Sequence, residues 1–188
     1  GMTLLDYAIN GSFVLSYVAM RKDDKAELVT FNEYFDTFVP ASKQVGQMQT
    51  LLENLYKQET TFGETDFSAL CGHLGKHVNK RSFLVLYTNF SNMTSLNRQL
   101  VYLQQLARQH RVLVVFFEDA DLKEYIAGKS VTTEEYYRHV IAEKFAFEKR
   151  LIVSTLKQHG IYSLLTTPDK LSIDVINKYL EMRSRQLF

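Results

Sequence analysis

Phe83-Leu84-Val85-Leu86-Tyr87-Thr88-Asn89 is the stretch that decides the fold, and Val112-Leu113-Val114-Val115-Phe116-Phe117 repeats its character. Both are short, uninterrupted apolar runs, and a helical pattern at 95–110 separates them. Strands that are apolar on both faces are typical of parallel sheets covered by helices. Because strands and helices alternate through most of the chain, the sequence predicts an α/β protein with a doubly wound, mostly parallel sheet.

Polar residues stand where this sheet would bind a ligand. Gly63-Glu64-Thr65-Asp66 precedes a helix predicted at 66–78, and Asn89 and Ser91 follow the strand at 83–88. Ligands of α/β proteins bind at the carboxyl ends of the strands. Thr65 is interpreted as a helix cap, as a remnant of a ligand site, or as both, and Asp66 as a carboxylate favoured by the helix dipole. Asn89 and Ser91 either contact a partner or cap the next helix.

The remaining elements follow from periodicity and capping signals. Thr3 and Asp6 resemble a helix cap, and Thr132-Thr133-Glu134-Glu135 is a capping box. Gly160 is expected to end the helix that this box opens. The predicted elements are a first helix from Thr3 to Asp23, a hairpin of strands 27–31 and 35–39 with Pro40 at the end of the second strand, helices 45–56 and 132–159, a strand at 161–165 and a terminal helix at 173–182.

Composition narrows the class of protein. The 188 residues are 46% apolar and 23% charged, with a formal net charge of +1. No long basic run points to nucleic acid, and no apolar run is long enough to span a bilayer. Cys71 is the only cysteine, which excludes an intramolecular disulfide and favours a reducing compartment. We therefore expect one soluble, cytoplasmic domain over residues 1–188.

The order of these elements resembles a known family. A helix, a strand hairpin, a helix, Gly-x-Thr-Asp-x-x-x-Leu and an apolar strand ending in Thr-Asn are similar to a von Willebrand factor A-like domain. More narrowly, they resemble the bacterial domain-of-unknown-function family fifty-eight, which is linked to MoxR-type ATPases. The segments that carry the resemblance are 25–31, 51–56, 81–90, 119–122, 148–150, 159–161 and 175–180.

The resemblance implies a metal-ion-dependent adhesion site. Its parts are an Asp-x-Ser-x-Ser loop after the first strand, a threonine from a second loop and an aspartate after a later strand. Thr65 matches the threonine, whereas Asn89 stands in place of the aspartate. The Asp-x-Ser-x-Ser loop is absent, and Ser12 and Ser16 lie inside the first helix. The chain thus resembles a domain truncated after its first central strand, with a degenerate site and no cofactor; Mg²⁺ is expected only where the missing loop is present.

The function implied is a non-catalytic protein-interaction module that helps to assemble or activate other complexes. Its partner would be a MoxR-type AAA ATPase, and its full-length parent would place it at the cytoplasmic face of the membrane. The residues predicted to bind the partner are Thr65, Asp66, Asn89, Ser91 and Asp119. Loss of a central strand also predicts a compacted sheet or a dimer formed through exposed sheet edges.

An acidic cluster offers a second interpretation. Glu118, Asp119 and Asp121 follow a buried strand, where carboxylates of a Mg²⁺-dependent hydrolase would lie. The simpler interpretation is a turn that caps a helix at 122–126. No Gly-rich phosphate loop or Gly-x-Ser-x-Gly elbow accompanies the cluster.

Two further patterns have a simple interpretation beside a functional one. Cys71, His73 and His77 suggest zinc, but Cys71 points away from the face that the histidines share, so a buried cysteine and two surface histidines are preferred. The long helix carries aromatic residues on more than one face, so either core packing or contact with another surface explains them. These residues are Tyr136, Tyr137, Phe145 and Phe147.

Overall fold

The computed structural model describes residues 2–31, 35–42, 46–57, 65–90, 92–118, 120–128 and 132–188. They form two compact units, Gly1–Lys80 with Asp169–Leu187, and Arg81–Pro168 with Phe188. The expectation of a single domain over residues 1–188 stays a prediction. The elements are α1 (Leu4–Arg21), β1 (Ala26–Phe31), β2 (Phe35–Ser42), α2 (Gln47–Tyr56), α3 (Phe67–His77), β3 (Phe83–Tyr87), α4 (Met93–Gln109), β4 (Arg111–Phe117), α5 (Ala120–Ala127), α6 (Thr133–Gln158), β5 (Tyr162–Thr166) and α7 (Leu171–Ser184).

Helix α1 of the first unit begins as its sequence predicts. Asp6 N donates to Thr3 Oγ1 at 3.2 Å, and Thr3 N donates to Asp6 Oδ2 at 2.6 Å, which completes a capping box. The helix packs against α7 and α2. At its far end Asp24 accepts hydrogen bonds from Tyr179 Oη and from Arg183 Nε, the latter at 3.0 Å. Packing along α1 and the hydrogen bonds of Asp24 therefore hold α1 against α7, which joins the first and last segments of this unit's sequence.

The hairpin of β1 and β2 is antiparallel, as predicted. Its register shifts between Ala26 and Leu28, opposite the part of β2 that contains Pro40. A proline cannot donate to the ladder, so an irregular position suits it. Gln47 Nε2 donates to Ala26 O at 3.3 Å and to Pro40 O at 3.0 Å. These two carbonyl oxygens, which lie where the register of the hairpin shifts, thus accept hydrogen bonds from a side chain.

The second unit contains a three-stranded parallel sheet in the order β3-β4-β5. The centre of β4, from Val112 to Phe116, is fully buried, which is the property predicted from its apolar run. Helices α4 and α6 pack on β4 and β5, respectively, and contact each other. The structure thus confirms an α/β protein with a parallel sheet, whereas the doubly wound arrangement is not confirmed.

The caps of two helices differ from the prediction. Asp66, and not Thr65, caps α3, because Ala69 N donates to Asp66 Oδ1 at 2.9 Å across the usual three-residue separation. Asn92 caps α4 by the same geometry, since Ser95 N donates to Asn92 Oδ1 at 2.9 Å. Asn92, and not Asn89, therefore caps α4, and Ser91 lies outside the described residues. Helix α4 begins at Met93, two residues earlier than predicted.

Helix α6 begins and ends where its sequence indicates. Thr132 and Glu135 form the predicted capping box, and Gly160 has a φ of 71°, a left-handed conformation that favours glycine. Its aromatic residues, however, are exposed: the exposed fraction is 53–65% for Tyr136, Tyr137, Phe145 and Phe147. Core packing is thus the wrong explanation for them. Among the described residues no helix is long and apolar enough to cross a membrane.

Candidate functional site

The carboxyl edge of the parallel sheet gathers polar residues from three strands. Asn89 follows β3, Glu118 follows β4, and Thr166 and Thr167 end β5. The ladder extends to this edge, because Thr88 N donates to Val115 O at 3.0 Å and Glu118 N donates to Thr166 O at 2.9 Å. Parallel strands end together, so this edge is the natural place for a binding site in the second unit.

Lys149 of α6 engages the residue that follows β3. Its Nζ donates to Asn89 Oδ1 at 2.8 Å and to Phe90 O at 2.9 Å. The same ammonium lies 5.3 Å from the centroid of the Phe116 ring, within the range of a cation–π contact. Lys149 therefore fixes the β3–α4 loop on the end of the sheet.

The ammonium of Lys149 carries an electrostatic cost that these contacts offset. Lys149 is half-buried, and burial lowers the pKa of its ammonium because the charged form loses solvent. The Asn89 amide oxygen, the Phe90 carbonyl and the ring face of Phe116 supply partial negative charge in its place. A fixed cation thus lies at the carboxyl end of β3.

Glu148, the neighbouring residue on α6, binds the other end of the same loop. Its Oε2 accepts from Met93 N at 3.0 Å. Met93 is the first residue of α4, where backbone N–H groups lack helical partners and a negative charge is favourable. Glu148 and Lys149 together therefore hold both ends of the segment between β3 and α4.

Glu118 is engaged by an ion pair. Its Oε2 lies 3.2 Å from Nζ of Lys123 on α5, and both side chains reach solvent. Asp121 lies in α5, but its side chain is outside the described part of the chain, as is the whole of Asp119. The described part of the acidic cluster thus reads as the turn before a helix, and the hydrolase interpretation stays a prediction.

Thr167 adds a hydroxyl to this edge. Thr166 is buried, and its Oγ1 donates to Thr167 O at 3.3 Å. Oγ1 of Thr167 is buried without a hydrogen-bond partner among the described residues. Because the oxygen is buried, it lies below the surface that a protein partner would contact.

The predicted site residues are distributed over both units. Thr65, which is half-buried, and Asp66 lie at the start of α3 in the first unit, and Asn89 lies in the second. Ser91 and Asp119 are outside the described residues, as are Gly63 and Glu64.

Sequence reasoning missed Glu148 and Lys149, the two residues that organise the loop. Their segment carried the family resemblance, but no pattern linked it to Asn89, which lies 60 residues away.

The described donors do not fit a hard divalent cation. Asn89 offers a neutral oxygen instead of a carboxylate, and that oxygen already accepts a hydrogen bond from an ammonium group. Among the described residues no group of three or more His, Cys, Asp or Glu side chains is placed to hold a metal ion. We therefore derive no chemistry through a metal at this edge.

The zinc pattern of α3 also has a structural explanation. Cys71 is buried, and burial raises the pKa of its thiol, which disfavours the thiolate that zinc needs. The rings of His73 and His77 are stacked with centroids 4.2 Å apart. A buried cysteine beside two paired histidines accounts for the pattern.

Comparison with known families gives one match. The family described as a protein of unknown function, DUF58, matches residues 5–129 of the 188. The chain belongs to the DUF58 family. The part of the DUF58 chain that the family matches contains Thr65 and Asn89, two residues of the predicted partner-binding site. It ends before α6 begins. The loop-holding residues Glu148 and Lys149 therefore lie beyond the matched part. No curated protein and no solved structure matches the chain.

Proposed function

We propose that this DUF58 chain is a non-catalytic protein-interaction module that binds its partner at the carboxyl edge of the parallel sheet. The proposal depends on one observation, which is that the Lys149 ammonium donates hydrogen bonds to Asn89 Oδ1 and to Phe90 O. A site for a hard cation would leave its oxygens open for the ion, whereas here an internal cation takes them. In this proposal the edge recognises its partner without a metal ion.

The surface has the properties that a protein partner needs. Asn89 is exposed and held in place, so its amide NH₂ can donate to a partner with little loss of side-chain entropy. The Glu118–Lys123 ion pair adds a charged rim. Such rims set orientation and association rate more than affinity.

By the family resemblance, we infer a von Willebrand A-like, doubly wound architecture and a MoxR-type AAA ATPase as the partner. The module would then help the ATPase to assemble or activate other complexes. Its lone cysteine, Cys71, supports a cytoplasmic setting, since a reducing compartment needs no disulfide. The dimer through exposed sheet edges that the sequence predicts stays a prediction, separate from this proposal.

A binding measurement with substitutions at the two ends of the sheet tests the proposal. A purified MoxR-type ATPase from the same organism is passed over the immobilised chain, and the affinity is measured for wild type, Asn89→Arg and Arg108→Glu. Asn89→Arg places a second cation at the edge and is expected to weaken binding at least tenfold. Arg108→Glu, a charge reversal beside the amino-terminal end of β4, is the matched control and should leave the affinity unchanged.

Equal affinity for all three proteins, or no saturable binding, would overturn the proposal. The hydrolase interpretation has its own test in Asp119→Ala. A phosphatase or nuclease activity that this substitution abolishes would replace the interaction module with a catalytic function.

A further inference from the structure

Helix α6 exposes an apolar stripe that runs along much of its length. Tyr136, Val140, Phe147 and Leu151 have exposed fractions of 61%, 44%, 57% and 38%. At about 100° per residue these four side chains fall within a stripe about 60° wide. The opposite side of the helix faces the unit, since Ala142, Ile152 and Leu156 are buried there. The stripe, defined by the first four residues, therefore faces away from the side of α6 that packs on the unit.

The stripe repeats itself along the helix. Phe147 and Leu151 follow Tyr136 and Val140 by eleven residues, a period at which a straight α-helix returns to nearly the same face. The four side chains of the stripe expose about 400 Å² at roughly half of the area that each offers, whereas Tyr137, Ile141 and Phe145, which are also exposed, lie outside the stripe. Two paired stripes would therefore bury roughly 800 Å² in total, the size of a weak, reversible interface.

Two charged residues interrupt the stripe at its midpoint. Glu143 and Lys144 project to opposite sides, each about 20° outside one border of the stripe. Both are exposed, and Glu143 Oε1 also lies 3.3 Å from Nε2 of His139 in the same helix. A partner helix that covers the stripe must present the opposite charge to each of them.

A second copy of α6 in parallel orientation meets this requirement. We propose that the DUF58 chain forms a symmetric dimer in which the stripes of two α6 helices pack side by side, parallel and in register. A two-fold axis along the helices puts Glu143 of one copy beside Lys144 of the other, twice. An antiparallel pair that matches the same apolar residues brings Glu143 beside Glu143 and Lys144 beside Lys144, which repel.

Sedimentation equilibrium of the whole chain tests the dimer. Wild type is expected to associate reversibly to a dimer. Glu143→Lys and Lys144→Glu, each alone, are expected to weaken the dimer at least tenfold, because each turns both cross-pairs into like charges. The double variant Glu143→Lys/Lys144→Glu restores attraction in the homodimer, and an equimolar mixture of the two single variants restores it as a heterodimer.

Substitutions on apolar positions complete the experiment. Phe147→Glu should abolish the dimer, whereas Val101→Glu, on the exposed face of α4 with an exposed fraction of 60%, should leave it intact. Circular dichroism checks that each variant is folded. A wild type that stays monomeric up to about 200 µM, where even a micromolar dimer would be populated, would overturn the proposal. A dimer that is insensitive to both single charge reversals, as expected of pairing through sheet edges or of antiparallel helices, would overturn it as well.

Discussion

Lys149 determines the structure and the charge of the carboxyl edge of the parallel sheet. Its ammonium donates to Asn89 Oδ1 and to Phe90 O, and Glu148 beside it accepts from Met93 N. From the sequence alone, Asn89 is interpreted as the weakened remnant of a metal ligand. With Lys149 in place, its amide oxygen is one partner of an internal cation, and the loop after β3 is a fixed structure.

Removing this cation should destabilise the second unit. We expect Lys149→Met to lower the free energy of unfolding by about 1–2 kcal/mol, because the Phe90 carbonyl loses its partner beside the buried Phe90 side chain. Urea denaturation measures the change. Arg150→Met, the exposed neighbour on α6, is the control and should change the free energy by less than about 0.5 kcal/mol. An equal loss in both variants would show that Lys149 has no special role.

His110 is expected to make stability depend on pH. The residue is buried, its Nδ1 accepts from Ser82 N at 3.2 Å, and burial lowers its pKa. The unfolded chain therefore binds more protons than the folded chain once the pH falls below about 6.5. The stabilisation is complete above that pH and is lost as the pH decreases.

Urea melts between pH 7.5 and pH 5 check this expectation. The free energy of unfolding should decrease toward pH 5, and His110→Gln should flatten the dependence, with a smaller slope left from His73, whose pKa burial also lowers. The exposed His159→Gln serves as the control and should keep the wild-type slope. A His110→Gln profile that matches wild type would refute the assignment.

At the level of single helices, the sequence correctly predicts the two starts that are marked by a capping box. The capping boxes of α1 and α6 depend on residues three positions apart, so Thr3 and Thr132 are recognisable without tertiary information. The caps of α3 and α4 were misplaced by one or more residues, because several Asn, Asp, Ser and Thr residues compete at each start. Only the backbone conformation decides among them.

Helix α3 offers a direct check of its cap. Asp66→Ala should lower the free energy of unfolding by about 1 kcal/mol, since Ala69 N loses its acceptor. Thr65→Ala, one residue earlier and outside the cap, should change it by a few tenths of a kcal/mol at most. Thermal or urea unfolding of both variants gives the comparison. A larger loss for Thr65→Ala would return the capping role to Thr65.

At the scale of the whole molecule, the sequence predicted the strands of the parallel sheet and the hairpin. The apolar run of β4 is buried, as expected of a central strand covered by helices, whereas β3, at the edge of the three-stranded sheet, is mostly half-buried. The contact that organises the site joins residues 60 positions apart. Periodicity and capping act over a few residues, so no signal in the sequence assigned Lys149 to Asn89.

The sequence left two explanations for the aromatic residues of α6, core packing or contact with another surface, because these residues lie on more than one face of the helix. The structure excludes core packing, since all four aromatic residues are exposed. The same amphipathic pattern serves a core and an interface.

The most direct test of a metal-free carboxyl edge is a Mg²⁺ titration of the ¹⁵N-labelled chain, followed by two-dimensional NMR. We expect the resonances of Asn89, Phe90 and Lys149 to show no saturable shift up to about 10 mM Mg²⁺, well above the cell's free Mg²⁺ and enough to reveal millimolar binding. A titration with Ca²⁺ should give the same result. Saturable, stoichiometric shifts centred on Asn89, lost in Asn89→Ala, would instead place a metal site at the end of β3.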